Sequence, residues 1–267
     1  MLGSEVALVC QQRALDTVVL DLPEFDITDE QHISAAIRGV RAIINCAAYT
    51  DVEKCESEVE LAYKVNGEAV GKLGSAAKDA GIWVLHISTD LVFDGKSESP
   101  YVESDTPNPI NTYGRSKLAG ERLLIESGCL HCIIRVEWTY GLHGTNFITK
   151  LIEAAKTDKK LKVVDDQVGS PTATTEVAEL ICQLLMQKPQ GIFHFAAAGY
   201  ATRFEIAKFV FDKLNMSVNL TACKSGDYPS TAVRPLNSRF DCGKIQALLD
   251  EPIRPWQEPL ESFLRRL

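Results

Sequence analysis

The sequence predicts an α/β fold in which a doubly wound parallel sheet is joined to a second, smaller C-terminal lobe. Short runs rich in Val, Ile and Leu alternate along the chain with stretches of helical periodicity. The runs are continuously apolar rather than alternating, which is typical of parallel strands that helices cover on both faces. Right-handed crossovers between such strands produce a doubly wound sheet.

Five apolar runs are predicted to be strands. They are DTVVLD at 16–21, RAIINCAAY at 41–49, IWVLHIST at 82–89, LHCIIRVEWTYG at 130–141 and GIFHFAAAG at 191–199. Helices are predicted at 30–39, 57–80, 111–127, 146–157 and 174–187. After Gly141 the alternation weakens, and residues 201–267 combine helix with irregular segments that contain proline. This change of pattern predicts the second lobe.

The composition excludes several classes of protein. The 267 residues carry a net charge of −8, which disfavours a nucleic-acid partner because phosphate binding needs clustered Lys and Arg. No apolar run approaches the roughly 20 residues of a membrane span, and no secretory signal is present. The eight cysteines are scattered in apolar surroundings, which indicates reduced thiols and a cytoplasmic protein. The pair Cys129 and Cys132 has no second pair to complete a metal site, so no metal is predicted.

The N-terminal segment resembles the end of a glycine-rich phosphate turn. Gly3 is followed by a helical stretch, and Asp21 stands 18 residues later at the end of a predicted strand. In a dinucleotide-binding fold an acidic residue about 20 residues after the glycines accepts the ribose hydroxyls. The alternative is an ordinary N-terminal helix with an incidental glycine. On the first reading, residues 1–150 and about 172–200 form a Rossmann-like dinucleotide-binding domain, and about 151–171 and 201–267 form a substrate lobe.

A tyrosine and a lysine at helical spacing suggest acid–base chemistry. Tyr113 and Lys117 lie four residues apart and therefore share one face of the predicted helix at 111–127. A lysine beside a phenol is expected to lower the phenol's pKa from about 10, which makes the tyrosine a usable proton donor. Upstream, Ser88 and Thr89 stand at the carboxyl end of a predicted strand, where ligands bind in such sheets. The alternative is that Tyr113 and Lys117 form an ordinary pair on the helix surface and that Thr89 is a cap at the end of its strand.

Those residues belong to a longer series of motifs that resembles the dTDP-4-dehydrorhamnose reductase family of extended short-chain dehydrogenase/reductases. The matching segments, in family order, are FDITD (25–29), NCAAYTDVEKCE (45–56), VNGEAV (65–70), STDLVFDG (88–95), NTYGRSK (111–117), WTYG (138–141), NF (146–147), DDQVGSPT (165–172) and RPLNS (234–238). The resemblance implies that a first strand and most of the glycine motif, roughly ten residues, belong before Met1.

The resemblance also implies roles for particular residues. Tyr113 would protonate the C4 carbonyl oxygen of a dTDP-4-dehydro-6-deoxy sugar, Thr89 would hydrogen-bond that oxygen, and Lys117 would hold the nicotinamide ribose. Cofactor-binding positions would be Gly3, Asp21, Asp26, Ile27, Ala47, Ala48, Tyr49 and Asn66. Substrate positions would be Thr50, Asp90, Trp138 and Asn146, and for Trp138 core packing is the alternative. The cofactor would be NADP or NAD, and the protein could form a homodimer.

Two residues depart from the family pattern. Leu91 stands where the family usually has tyrosine, and Glu137 stands where it usually has a small residue. A carboxylate at position 137 would lie close to an anionic nucleotide-sugar, which argues against the dTDP substrate. A non-catalytic NADP-binding regulatory subunit, similar to the β subunit of methionine adenosyltransferase, is therefore the alternative function. Asp21 with no arginine following it closely favours NAD, whereas the family often uses NADPH.

Overall fold

The computed structural model describes residues 1–157, 160–227 and 230–267. Its helices are α1 (Leu2–Gln12), α2 (Glu30–Ala36), α3 (Val52–Cys55), α4 (Val59–Tyr63), α5 (Ala69–Ala80), α6 (Thr112–Ser127), α7 (Phe147–Thr157), α8 (Thr174–Gln187), α9 (Arg203–Lys213), α10 (Gly243–Gln246) and α11 (Gln257–Leu264). Its strands are β1 (Ala42–Asn45), β2 (Trp83–Thr89), β3 (His131–Val136), β4 (Thr139–Tyr140), β5 (Lys160–Val164), β6 (Val168–Gly169), β7 (Thr172–Ala173), β8 (Gly191–Phe195), β9 (Ala201–Thr202) and β10 (Asn219–Cys223). A π-helical turn over Lys64–Glu68 joins α4 to α5.

The principal sheet contains four parallel strands in the order β1-β2-β3-β8. Alternate side chains of each strand enter two separate cores, as the pleat requires. Trp83 and Leu85 of β2 pack with α1 and α8 on one face, while Val84 packs with α2, α5 and α6 on the other. Helices therefore cover both faces, and the predicted doubly wound parallel sheet is confirmed.

The predicted strand at 16–21 is not formed. Val18 and Val19 are 73% and 64% exposed, and the segment has no strand assignment. Within the described residues, β1 pairs only with β2, so no strand lies between β1 and this segment to supply ladder hydrogen bonds. Apolar β-rich composition alone does not hold a strand without a paired neighbour. The other four predicted strands are present, although the one at 41–49 ends at Asn45.

The smaller lobe has its own core. Residues of α7, α9 and α11 pack around Tyr140, Trp256 and Phe263, and β5 pairs with β10 beside them. The predicted assignment of all of 201–267 to this lobe differs from the structure at α10. Ile245 is fully buried against the principal sheet, together with residues of β8 and α8. Residues that follow β2 and β3, Asp90 and Trp138, contact Ser238 and Arg203 from the C-terminal part of the chain.

Candidate active site

The centre of the candidate site is the carboxyl end of β2. Thr89 ends that strand, and its hydroxyl donates to Oδ1 of Asp90 at 3.0 Å while accepting from the backbone N–H of Leu91. The Tyr113 side chain hydrogen-bonds to Thr89 from the first turn of α6. Asn111 caps this helix by accepting from Gly114 N at 2.8 Å, and this fixes where the helix begins. The structure therefore brings Thr89 and Tyr113 together, as predicted.

The ionisation of Tyr113 differs from the prediction. Burial, and then the nearby Asp90 carboxyl, raise the pKa of Tyr113 above its ordinary value. The predicted lowering by Lys117 is wrong for the protein without its ligands, because desolvation of the phenolate outweighs the attraction of a cation. A phenol with a raised pKa keeps its proton at neutral pH, and it remains able to donate it.

Lys117 lies beneath this site rather than on its surface. Its side chain is buried, and Nζ donates to the backbone oxygen of Ile87 at 2.7 Å. Nζ also lies 3.3 Å from Nε2 of His86, which is itself fully buried. Burial lowers the pKa of Lys117 to about 8, partly offset by Glu121. The sequence indicated the lysine but not its histidine neighbour.

Residues 47–49 follow β1 and form one side of the site, which we call the wall; the first two are alanines. Ala47 is exposed and Ala48 is half-buried, and the Ala47 N–H donates to Oδ1 of Asn45 at 3.1 Å. Asn66 is 0% exposed and clamps the next residue, because Oδ1 accepts from Tyr49 N at 2.8 Å and Nδ2 donates to Tyr49 O at 3.0 Å. Asn66 therefore positions the Tyr49 backbone instead of standing on a helix surface.

The remaining predicted cofactor residues lie in different surroundings: these are Gly3, Asp21, Asp26 and Ile27. Gly3 lies in the first turn of α1 beside Cys46, and an added Cβ at Gly3 would stand 3.6 Å from the Cβ of Cys46. The N-terminus of α1 has no side-chain cap, so its amides are available to an anion. Asp26 accepts from Thr28 N at 2.8 Å, and Ile27 is buried in the core. Asp21 is exposed on the segment that does not form a strand.

The predicted substrate side contains an arginine that sequence reasoning missed. Trp138 follows β3 with a left-handed φ of 46°, and the Arg203 guanidinium lies 3.6 Å from the centroid of its ring. Among the described residues no carboxylate pairs directly with Arg203. Burial lowers the pKa of Arg203 to about 10, and the nearby carboxyls of Asp90 and Glu137 act against that shift. Neither the helical spacing nor a quoted motif singled out this residue.

Glu137 is buried beside Trp138, and the expected conflict of charge with a substrate is removed. Burial, and then Asp90, raise the pKa of Glu137 well above its ordinary value, which favours the uncharged carboxyl form. Oε2 accepts from Ser170 N at 2.9 Å, whereas Oε1 is buried without a hydrogen-bond partner. Asp90 is also buried, and it accepts from the Ser238 hydroxyl at 2.5 Å. Burial raises the pKa of Asp90 in spite of that bond.

Two further predicted substrate residues have different surroundings. Asn146 is buried and closes the loop before α7, since Nδ2 donates to Gly141 O at 2.9 Å and Oδ1 accepts from Thr149 N at 3.1 Å. Its observed contacts are those of a helix cap. Thr50 is exposed after the wall at 47–49. Contact of either residue with a sugar stays a prediction.

A segment from the smaller lobe crosses the site and is anchored by Glu53, a second residue that sequence reasoning missed. We call residues 230–238 the strap. Oε2 of Glu53 accepts from the N–H groups of Thr231 and Ala232, and Oε1 accepts from Nη1 of Arg234 at 2.7 Å. At its other end, Ser238 reaches Asp90. The strap thereby connects α3 to the catalytic end of β2.

Comparison with known proteins agrees with this geometry. Residues 1–267 match the RmlD substrate binding domain family. The chain belongs to this family. It is 35% identical over 272 residues to the dTDP-4-dehydrorhamnose reductase of Sinorhizobium fredii, and the match covers 96% of the chain and 92% of that relative.

Solved structures extend the agreement. The dTDP-4-dehydrorhamnose reductase of Bacillus anthracis, crystallised in complex with NADP, superposes with a TM-score of 0.95 at 32% identity, covering 100% of this chain and 95% of that one. The UDP-glucose 4-epimerase of Thermus thermophilus, in complex with NAD, shares the fold at 17% identity, with a TM-score of 0.83 over 99% and 95% of the two chains. The predicted family, its oxidoreductase class and the Rossmann-like fold are confirmed.

The sequence predicted neither a metal site nor a membrane span. Among the residues that the structure describes, no group of three or more His, Cys, Asp or Glu side chains could hold a metal ion. In the same part of the chain, no helix has the length and apolarity needed to cross a membrane. The individual site residues remain predictions that the geometry supports to different degrees.

Proposed function

We propose that this protein uses NADPH to reduce the 4-keto group of dTDP-4-dehydrorhamnose, the step that forms dTDP-L-rhamnose. The observation that carries the proposal is the hydrogen-bonded pair of Thr89 and Tyr113 at the carboxyl end of a central parallel strand. Relatives named dTDP-4-dehydrorhamnose reductase support the substrate. A neutral Glu137 removes the electrostatic objection to an anionic nucleotide-sugar.

The protein's own residues supply the proton and its placement. Tyr113 is protonated at neutral pH and donates its proton to the C4 oxygen as negative charge develops there. When substrate binds, the Thr89 hydroxyl turns from Asp90 to donate to the same oxygen, and this hydrogen bond stabilises that charge. When bound, the nicotinamide supplies the hydride that C4 receives. Without substrate, Asp90 orients the Thr89 side chain by accepting a hydrogen bond from its hydroxyl.

The cofactor fits the cleft at its nicotinamide end. The small side chains of Ala47 and Ala48 allow a flat ring to approach the backbone, and Tyr113 stands on α6, which packs over the carboxyl half of β2. The uncapped N-terminus of α1 at Gly3 offers amides to a phosphate. NADPH is favoured by the NADP bound in the Bacillus anthracis relative. Asp21 lies on an exposed irregular segment, so it gives no support for NAD.

On the substrate side, we assign the diphosphate to Arg203. Its guanidinium carbon lies over the rings of Trp138 and Phe147, at 3.6 and 4.8 Å from their centroids, and its N–H groups have no carboxylate partner among the described residues. A diphosphate presents paired oxygens that match the N–H groups of a guanidinium. Arg234 lies within electrostatic range of Arg203 and adds positive charge to the same region.

Substitution of Tyr113 by Phe tests the proposed reaction. The variant lacks the transferable proton but keeps the ring, so the rate of 4-keto reduction should fall by a factor on the order of 10²–10⁴. NADPH affinity, measured by fluorescence titration, should stay within about twofold. Turnover close to that of the unaltered protein would remove Tyr113 from the acid role.

Tyr63→Phe is a matched control for this experiment. Tyr63 ends α4, and its ring contacts the region of Gly67 instead of Thr89. Loss of a hydroxyl at that position should leave reduction unchanged. An equal loss in both variants would indicate a general effect of tyrosine removal on folding.

The hydrogen-bonded pair of Thr89 and Tyr113 argues against the alternative of a non-catalytic regulatory subunit. Such a subunit would not need a protonated tyrosine at the end of a strand. A homodimer is proposed only on the basis of the resemblance. Light scattering coupled to size-exclusion chromatography decides it, since a mass close to twice 29.4 kDa is expected for a dimer.

A further inference from the structure

The first turn of α6 is held by two side chains from outside the helix. The N–H groups that begin a helix have no partner within it, so other groups must accept from them. Asn111 accepts from Gly114 N. Glu56, which directly follows α3, accepts from Thr112 N at 2.7 Å through Oε1 and from the Thr112 hydroxyl at 3.0 Å through Oε2. Two hydrogen bonds therefore hold the residue that immediately precedes Tyr113.

Glu56 is itself fixed in place by the short helix α3. The Asp51 carboxylate caps that helix by accepting from Lys54 N at 3.1 Å. Cys55, the last residue of α3, is 0% exposed, and its Sγ lies 3.8 Å from the backbone oxygen of Tyr49. Since Tyr49 belongs to the wall, the position of Glu56 is tied to that side of the site.

The same turn of α6 lies close against the segment that follows β2. A Cβ added at Gly114 would stand 2.0 Å from the backbone oxygen of Leu91, two residues after Thr89. Only glycine allows so close an approach of two backbones. The contact with Leu91 limits how near the turn can come to β2, and the hydrogen bonds to Glu56 fix the turn relative to α3. Tyr113 lies within this turn.

We propose that Glu56 is a positioning residue that aligns Tyr113 with Thr89 by holding the first turn of α6. The sequence placed Glu56 inside a family motif at 45–56 but gave it no role. The inference rests on the proposed function, in which Tyr113 donates a proton to the substrate oxygen. Such a step depends steeply on alignment, since a displacement of about 1 Å can lower a rate about 100-fold.

A role based on charge alone makes different predictions. A carboxylate at a helix N-terminus is stabilised by the partial positive charge there, and Arg115 Nη2 lies 3.9 Å from Oε2 of Glu56. Glu56→Gln removes the charge but keeps the length, so its oxygen can accept from Thr112 N while its NH₂ group donates to the Thr112 hydroxyl oxygen. Glu56→Asp keeps the charge but is one methylene shorter, so it cannot reach both atoms of Thr112.

The direct test is NMR on the whole protein and does not depend on activity. The Thr112 amide proton should exchange about 10–100-fold faster in Glu56→Ala, since a hydrogen bond to a charged group is lost. In protein labelled with ¹³Cζ-tyrosine, the Tyr113 resonance, assigned with Tyr113→Phe, should move in the same variant. Glu60→Ala, at an exposed position of α4, is the matched control and should change neither signal. If either signal is unchanged in Glu56→Ala, the proposal is overturned.

Steady-state kinetics distinguish position from charge. We expect kcat to fall about 10–100-fold in Glu56→Ala and Glu56→Asp, and to stay within about threefold of the unaltered value in Glu56→Gln. KM for the nucleotide-sugar and Kd for NADPH should change little, because Glu56 is assigned to neither ligand. Near-normal kcat in Glu56→Asp, together with a large loss in Glu56→Gln, would show that charge is what matters and would overturn the positioning role.

A double-mutant cycle with Tyr113→Phe separates alignment from general disruption of the fold. If Glu56 acts through Tyr113, Glu56→Ala should lower kcat no further once the phenol hydroxyl is absent. An equal additional loss in the Tyr113→Phe background would mean that Glu56 acts elsewhere, and it would overturn the proposal. If the unaltered protein does not reduce the sugar, the proposed function fails, whereas the exchange and resonance measurements still decide whether Glu56 holds the turn.

Discussion

At the scale of single residues, burial controls the charges of the site. Burial raises the pKa of both Asp90 and Glu137, and the nearby Asp90 carboxyl raises the pKa of Glu137 further. The sequence indicated Asp90 through its motif and Glu137 as a departure from the family. It could not indicate that Glu137 is neutral, because this depends on Ser170 and on the fold that covers the side chain.

The neutral Glu137 leads to a prediction about stability. The pKa of Glu137 is higher in the folded than in the unfolded chain, so the folded protein binds more protons and its free energy of unfolding decreases as the pH rises above about 4.5. Glu137→Gln removes this penalty and keeps an acceptor for Ser170 N. We expect a higher Tm at pH 7–8, about 2–4 °C for each kcal/mol gained, measured by differential scanning calorimetry.

The advantage of Glu137→Gln should disappear at pH 4, where the unfolded glutamate is itself largely protonated. Glu153→Gln is the control, because that carboxylate is exposed on α7 beside Lys156. A lower Tm for Glu137→Gln at pH 7 would show that the group is ionised and stabilising in the native protein.

Arg203 provides the second prediction at this scale. Replacing it with Leu keeps the contact with Trp138 but removes the N–H donors assigned to the diphosphate. We expect KM for the nucleotide-sugar to rise by 10-fold or more, as is usual when a hydrogen bond to a charged group is lost. The Kd for NADPH should change little. An unchanged KM for the sugar, or an equal loss of NADPH binding, would contradict the assignment.

At the scale of elements, the observed bounds of two helices of the sheet domain agree closely with the bounds predicted from the sequence. The helices predicted at 111–127 and 174–187 are observed as Thr112–Ser127 and Thr174–Gln187, because long apolar periodicities with clear ends survive tertiary packing. The predicted helix at 57–80 is divided, and its middle is the π-helical turn that places Asn66 against Tyr49. No periodicity argument detects such a turn, since its register shift comes from packing against α6.

The strap is an element whose anchor can be tested with pH. Partial burial alone would raise the pKa of Glu53, but hydrogen bonds from Ala232, Ser230 and Arg234 outweigh it and lower the pKa to about 2. The stabilisation is therefore complete above the ordinary 4.5 and is lost as the pH falls through 2. The Glu53 side chain is 41% exposed, so solvent screening reduces the stabilisation that the ionised carboxylate provides.

Glu53→Gln should make the free energy of unfolding depend less on pH in this acidic range. An amide can present only one acceptor oxygen to the strap, and its NH₂ group would oppose either the N–H groups of Thr231 and Ala232 or the guanidinium of Arg234. Urea unfolding at pH 5 and pH 3 should show a smaller difference for the variant than for the unaltered protein. Glu60→Gln, on the exposed side of α4, should keep the full difference. Equal pH dependence in Glu53→Gln and the unaltered protein would contradict the anchor.

At the scale of the whole molecule, residues from the C-terminal part of the chain contact the sheet domain at the carboxyl ends of β2 and β3. The sequence predicted this layout because continuous apolar strands and the change after Gly141 are properties of long segments. It could not predict that the strand at 16–21 would lack a partner, since pairing depends on what lies beside it in space. The same limitation applies to Glu53 and Arg203, whose neighbours are distant in the chain.

The open edge of the sheet leads to a prediction about association. β1 pairs on one side only within the described residues, and Val18 and Val19 are exposed nearby. Unpaired edges and apolar patches favour contacts between copies. Sedimentation velocity should show association that increases with concentration and that Val18→Lys with Val19→Lys reduces. Met186→Lys, at an isolated position that is 79% exposed, is the control and should have no effect. Association that persists in the double variant would locate the contact elsewhere.

The route of the chain between the two cores has a consequence for how such a protein can change. Residues 147–157, 203–213 and 257–264 build the smaller core. The chain returns to the sheet at β8, between the first two segments, and at α10, between the last two. Neither half is a continuous segment, so no single recombination event can exchange one lobe for another. Substitutions inside an intact scaffold, at positions such as 137 and 203, are therefore a simpler route to a new sugar preference than exchange of a whole lobe.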